Sequence, residues 1–396
     1  MAGLEYWLWL STAGVSARAR SALLARYGDA ETACLAPEGS FSSVPGLGAR
    51  EAAVLERRDL SGAAAVSAAC AEQGIRIVTM QDAAYPLRLR SIYAPPPVLY
   101  VKGDLPVVDE EAAIAVIGTR RASPYGLKMG RDLAWQICKG GGLVISLLTG
   151  GIDAAAARGA LLAGGPILGV LGTPHEAETS RLAEDVAANG ALISEYAPGT
   201  RPLKSFFRER NRVAAGLSVG VVVVEAPEKS GTRLFADEAA DMGREIFAVP
   251  GNADAANSAG TLALLKEGAV LATRGQDVLR EFQALYPDKI HLEDTGAAPE
   301  ETKPRDRSEA LPAAEKDVDS EKPGGYIDLR EQLAGLSGEQ LSILTAIDKN
   351  AVHIDDIIEA TGLPTAKVLA QLTLLEIKGY VRREAGRRIS LNITKK

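Results

Sequence analysis

Between residues 110 and 285 short apolar runs alternate with longer stretches of helical pattern, and this alternation limits the fold more than any other feature of the chain. The runs are AAIAVIG, GLVISLL, PILGVLG, ALISEY, VGVVVVEA and EIFAVPG. Each is nearly continuous in Val, Ile, Leu and Ala instead of alternating apolar with polar. Such strands bury both faces, as in a parallel sheet covered by helices on each side. The expected fold class is α/β, a doubly wound Rossmann-like sheet over residues 106–285. Ligands of such sheets bind beyond the carboxyl ends of the strands.

The chain of 396 residues is too long for that domain alone. Residues 1–105 read as a helical domain with a connector. The opening MAGLEYWLWLSTAG reads as an amphipathic helix, not a signal peptide. Two short turns, AGVS at 13–16 and PGLG at 45–48, are either tight helix–helix turns or hairpins that offer backbone N–H groups to a phosphate. IRIVTM at 75–80 reads as a strand, and PPPVLYVKG at 95–103 as a rigid connector into another. Residues 286–335 are charged, Pro-rich and poor in apolar residues, and read as a disordered linker. Residues 336–396 follow the order helix, helix-turn-helix, basic hairpin, which fits a small winged-helix domain.

Several classes of function lack their residues. The three cysteines and three histidines are scattered, so neither a disulfide framework nor a zinc site is expected. No apolar run reaches 18 residues, so no membrane span is expected and the location inferred is cytoplasmic. The net charge of −7 argues against a broadly basic surface but leaves room for a basic groove.

Five stretches at predicted strand ends could carry chemistry. AVIGTRRASPYG closes a strand at Gly118. Ser123 can cap the next helix and Pro124 suits its first turn, so free N–H groups would face an anion there. Arg120 or Arg121 could add a charge-assisted contact. Neither the dinucleotide fingerprint nor a Walker loop is present. TGGIDAAAARGAL brings Gly150 and Gly151, with Asp153 able to cap the following helix. PLKSFFRERNRVAAG crowds Lys204, Arg208, Arg210 and Arg212 around Phe206 and Phe207. Cations neutralise phosphates and exposed rings stack on unpaired bases. Being adjacent, the two phenylalanines are not both expected in the core. Lys229, Ser230, Gly231 and Thr232 open another helix. Pro250-Gly251 ends a strand ahead of a helix whose apolar face, Leu262 and Leu265, serves either a dimer or the core.

In series these motifs resemble the DprA/Smf family of DNA-processing proteins of bacterial transformation. GTRRASPYG is similar to the family's G-S-R-x-x-S-x-Y-G, and GIDAAAARGAL to its G-I-D-A-A-A-H-x-G-A-L. ISEYAPGT, RERNRVAAGLSVGVVVVEA, EKSGT, GREIFAVPG and SAGTLALLKEGA follow in register. The chain departs from the pattern at Leu147, at Ala157, at Leu262 and in GTPHEAETSRL. The resemblance implies an extended Rossmann domain between an N-terminal SAM/helix-hairpin-helix-like domain and a C-terminal winged helix. It implies a protein without catalytic residues, metal or cofactor that binds single-stranded DNA, forms a homodimer and hands the strand to the RecA recombinase. Matched by motif, Gly118, Thr119, Arg120, Lys204, Phe207, Arg210, Asn211, Arg212, Lys229, Ser230 and Gly251 would form the DNA site. Leu262, Leu265 and Leu271 would form the dimer surface. The competing expectation is a nucleoside-monophosphate enzyme of the lysine-decarboxylase-like type, whose motif KSGTRLFADE approaches, with Glu238 as its glutamate.

Overall fold

The computed structural model describes residues 3–293, 295–299, 338–347, 352–361, 363–377, 380–384 and 388–391. The chain divides into two compact units, Met1–Pro304 and Arg305–Lys396.

In the first unit helices α1 (Leu4–Thr12), α2 (Ala17–Tyr27), α3 (Ala30–Cys34), α4 (Ala49–Leu55) and α5 (Ser61–Glu72) precede strand β1 (Arg76–Thr79), helix α6 (Leu87–Arg90) and strand β2 (Val98–Gly103). Helix α1 is not amphipathic as its sequence suggested. Trp7, Leu8, Trp9 and Leu10 are all buried, so most of its circumference is covered, and only Glu5 and Thr12 are exposed. The turns at 13–16 and 45–48 lie close together. Ser16 caps α2 through Ala19 N and donates its own N–H and Oγ to Glu51 of α4.

The Rossmann region follows as β3 (Ala113–Ile117), α7 (Pro124–Lys139), β4 (Leu143–Ser146), α8 (Ile152–Ala163), β5 (Ile167–Val170), α9 (Arg181–Asn189), β6 (Ala191–Ser194), α10 (Phe206–Leu217), β7 (Gly220–Val223), α11 (Gly231–Asp241), β8 (Glu245–Ala248), α12 (Ala259–Lys266), β9 (Val270–Leu271) and α13 (Gly275–Leu279). Every residue of β3 to β7 is buried, as continuous apolar strands require. The sheet order is β1-β2-β6-β5-β4-β3-β7-β8-β9. Strands β3 to β9 run parallel, and β1 and β2 join antiparallel through β6. The strands expected at 75–80 and at the end of 95–103 are thus β1 and β2, and they belong to the same sheet as the Rossmann strands. Their pleat divides two cores. Leu99 and Val101 face the sheet's main core, whereas Val98 and Tyr100 pack with the N-terminal helices.

Helices α7 and α8 pack on one face of the sheet and α10 and α11 on the other. The first pair approaches very closely. A Cβ on Gly159 would come within 2.1 Å of the Arg131 carbonyl oxygen, so only glycine allows this contact. The chain leaves β3 towards α7 on one side and enters the neighbouring β7 from α10 on the other. The topological switch point therefore lies between the ends of β3 and β7.

The start of the expected linker is ordered. Ile290 is buried and His291 N donates to Gly140 O. Residues 300–335 of that linker lie outside the described residues. The second unit comprises helices Gly338–Thr345, Ile354–Thr361 and Thr365–Ile377, and strands Val352–His353, Val381–Glu384 and Arg388–Leu391 in a three-stranded sheet. Ile343, Ile357, Val368, Leu372 and Ile389 form its core. This is the expected winged-helix order. The hairpin tip at 385–387 lies outside the described residues.

Candidate nucleic-acid interface

Strand β3 ends at Ile117 and the chain turns through Gly118, Thr119, Arg120, Arg121 and Ala122 into α7. Gly118 is required by space, since a Cβ would sit 2.5 Å from the Ile152 side chain. The turn is held from below. Thr119 N donates to Glu225 O at 2.8 Å, and Gly118 N donates to Asp153 Oδ1 at 3.2 Å. Ser123 caps α7 through Gly126 N.

The N-terminus of α7 does not face an open anion site, which corrects the sequence expectation. The buried Glu225 carboxylate accepts from Ser123 N at 2.9 Å and from Ser123 Oγ. It packs so closely that a Cβ on Gly126 would lie 2.4 Å from it. The protein's own carboxylate meets the positive end of the helix. No ion-pair partner accompanies Glu225 among the described residues. Its sequence signal was a lone acid ending the apolar run VVVVEA at the switch point.

On the other side of the turn a cleft of about 470 Å³ opens over the ends of β3 and β4. Its walls bring together Gly118, Thr119, Arg120, Lys204, Phe207, Arg210, Asn211 and Ser230 from the predicted set. Arg121 and Arg208 line it as well. Arg120, Arg121, Lys204 and Arg208 are exposed. Phe207 is 39% exposed, while its neighbour Phe206 is half-buried and stacks on Tyr196 with centroids 3.8 Å apart. The two rings therefore have different tasks, as their adjacency required. Helix α11 opens with Ser230 accepting from Arg233 N, and Gly231 and Thr232 line the cleft at its positive end.

Arg210 forms the buried floor at 3% exposure. Its Nη1 donates to Leu147 O at 2.8 Å and Val170 O at 2.5 Å, and its Nε has no partner among the described residues. Burial pushes this guanidinium down to about 10, against the support of Asp153. Asp153 does not cap α8 as its position suggested, because the cap residue is Gly151. It lies buried, accepts from Thr149 Oγ1 and Gly118 N, and is pushed up by burial against those bonds and Arg210. A positive floor and four exposed cations make the cleft receptive to an anionic chain.

Other predicted residues lie elsewhere. Arg212 is two residues beyond Arg210, about 200° around the helix. It is buried and forms a forked pair with Glu195, Nη1–Oε1 2.8 Å and Nη2–Oε2 2.7 Å, while Nε donates to Ala94 O. Lys229 is exposed and does not line the cleft. Gly251 lines a neighbouring cavity with Ser123, Tyr125 and Glu225, where a Cβ would collide with Ser258 Oγ. Glu238, the glutamate of the enzyme reading, does not line the cleft; it lines two other cavities, one with Tyr93 and Arg244 and one with Arg208 and Arg212. Leu262 and Leu265 are half-buried, and Leu271 is 53% exposed on the edge strand β9.

Fold and site together define an extended Rossmann protein with an anion-receptive cleft at its switch point and a separate winged-helix unit. Comparison with known proteins narrows the class. The family described as DNA recombination-mediator protein A matches residues 76–283, and the DprA winged helix domain matches residues 329–387. The DNA processing protein DprA of Bacillus subtilis is 38% identical over 221 residues, 55% of this chain and 74% of that protein. Protein Smf of Synechocystis is 33% identical over 322 residues, 79% of each. The X-ray structure of DNA processing protein A from Streptococcus pneumoniae aligns with a TM-score of 0.62 and 30% identity, covering 71% of this chain and 99% of that one. The chain belongs to the DprA/Smf family of DNA-processing proteins.

Proposed function

We propose that this protein binds single-stranded DNA in the cleft at the ends of β3 and β4 without acting on it chemically. The observation that carries the reading is the meeting of Arg120, Arg121, Lys204 and Arg208, all exposed, with the exposed ring of Phe207 over the buried Arg210. Cations along a groove track a phosphate backbone, and an exposed ring stacks on any unpaired base. The open N-terminus of α11 at Ser230–Thr232 adds backbone donors for a phosphate. Lys229 and Gly251 flank this path outside the cleft, and Arg212 supports it from within the fold.

The wider role follows family membership. In this reading the protein acts in the cytoplasm during natural transformation, protects the incoming strand and loads RecA onto it. It does so as a homodimer joined through Leu262, Leu265 and Leu271, with the exposed Leu271 beside the open edge of β9 as the physical support. Gel-shift titration against single- and double-stranded oligonucleotides at two salt concentrations tests the binding. Arg120→Ala is the first variant, and undiminished binding by it overturns the site.

A further inference from the structure

The cationic groups of the cleft are of two kinds. Arg120, Arg121, Lys204 and Arg208 are exposed and can follow a backbone that continues in both directions. Arg210 lies at the floor with 3% of its surface exposed. Its Nη1 is taken by Leu147 O and Val170 O. Nε and Nη2, which form one edge of the guanidinium, donate to nothing among the described residues. Nε is fully enclosed and Nη2 is not, so the unused edge is reached through Nη2. A buried guanidinium with a vacant edge is matched to an anion that can reach it.

Two backbone donors share the cleft with Arg210. Gly231 N and Thr232 N, at the N-terminus of α11, donate to no group among the described residues. In all, five cationic side chains, Arg120, Arg121, Lys204, Arg208 and Arg210, line the cleft against one carboxylate. That carboxylate, Asp153, is engaged by Gly118 N and Thr149 Oγ1. A phosphodiester within a strand has one charge and two unsubstituted oxygens, and the chain leaves it on both sides. A phosphomonoester has close to two charges at neutral pH, three unsubstituted oxygens and a single substituent. It can therefore enter end-on, descend to a floor and accept from a guanidinium edge and from helix N–H groups together.

We propose that the floor of the cleft is a site for a terminal phosphate of the strand, held by the free edge of Arg210 and by the N–H groups of Gly231 and Thr232, so that the protein favours phosphorylated strand ends. The inference rests on the single-strand reading of the cleft. The exposed ring of Phe207 lines the same cleft and is available to stack on the last base. The exposed cations then track the next phosphates of the strand.

The test uses the full chain and three unlabelled oligothymidines that compete with a labelled one in fluorescence anisotropy. One carries a 5′-phosphate and one a 3′-phosphate. The third is a nucleotide longer with hydroxyls at both ends, so all three have the same number of phosphates. A terminal phosphate that gains one charge-assisted contact binds tighter than the longer strand by roughly tenfold, and the arm that shows the gain identifies the end that is held. Gly231→Pro removes one N–H group and keeps the helix start. Gly231 is the first helical residue, where proline is favoured, a Cβ there meets open space, and Ser230 is already extended at φ −138° and ψ 159°. Arg210→Lys keeps the charge and loses the fork. Both variants are expected to abolish the ratio between phosphorylated and longer strands, and Gly231→Pro decides alone if Arg210→Lys does not fold. Equal binding of the three strands by the parent overturns the terminal site while the cleft reading stands. A ratio that survives in Gly231→Pro also overturns it. If the parent binds none of the three, the cleft reading falls and this inference with it.

Discussion

Replacing Arg120 by Ala removes one exposed cation from the turn that closes β3. Four exposed cations line the cleft: Arg120, Arg121, Lys204 and Arg208. If each neutralises one phosphate of a single strand, the logarithm of affinity falls against the logarithm of salt with a slope of about 2.8. Between about 50 and 200 mM salt, binding then weakens by roughly 50-fold. Arg120→Ala lowers the slope to about 2.1, and the same change of salt costs roughly 20-fold. The loss applies equally to all sequences, because a phosphate contact carries no base information. Anisotropy titrations at four or more salt concentrations give both slopes. A variant with the parent's slope and affinity refutes the placement of a phosphate at Arg120. A parent slope near zero refutes the phosphate-tracking account of the whole cleft.

Phe207→Ala is expected to weaken single-strand binding by about 1–3 kcal/mol, the loss of one stacked base, without moving the thermal midpoint. Phe206→Ala does the reverse, since Phe206 stacks on Tyr196 within the fold. Calorimetry and anisotropy on both variants separate the two rings. Arg212→Ala leaves Arg20, at 3.7 Å, as the remaining ion-pair partner of the buried Glu195 among the described residues, and costs about 3 kcal/mol in urea unfolding at neutral pH. Burial pushes Glu195 up, but Arg212 and Arg20 outweigh it and hold the carboxyl below the usual glutamate range. Its stabilising effect is thus present above the ordinary glutamate value of 4.5 and lost as pH falls through the lower folded-state value. The gap between parent and variant therefore narrows in acid, and a gap that widens contradicts the pairing. Leu271→Glu is expected to shift the protein from dimer to monomer in light scattering, and an unchanged mass removes the β9 edge from the dimer proposal.

The doubly wound region was legible in the sequence because burial on both faces forces each strand into an uninterrupted apolar run. The six predicted strands appear as β3 to β8 in the predicted order. Gly118, Ser123 and Pro124 were legible too, because caps and tight turns are short-range. The basic-aromatic segment at 204–212 could be found from residue types alone. Its division between surface and interior could not. Arg210 and Arg212 are both arginines in one helix, yet one floors the cleft and the other is locked to Glu195. That outcome depends on how α10 is rotated against the sheet, which the packing of distant residues decides.

The amino-acid pattern by itself determined the α/β class, the winged-helix unit and the motifs at the strand ends, since these follow from local periodicity and turn chemistry. Tertiary structure alone decided what each motif faces. Ser123 and Glu225 are 102 residues apart in sequence, and their meeting fills the helix end that looked ready for a phosphate. Strands β1 and β2 look like a separate segment until they pair antiparallel with β6. In both cases the deciding contact joins remote parts of the chain, and only the assembled sheet brings them within hydrogen-bonding reach.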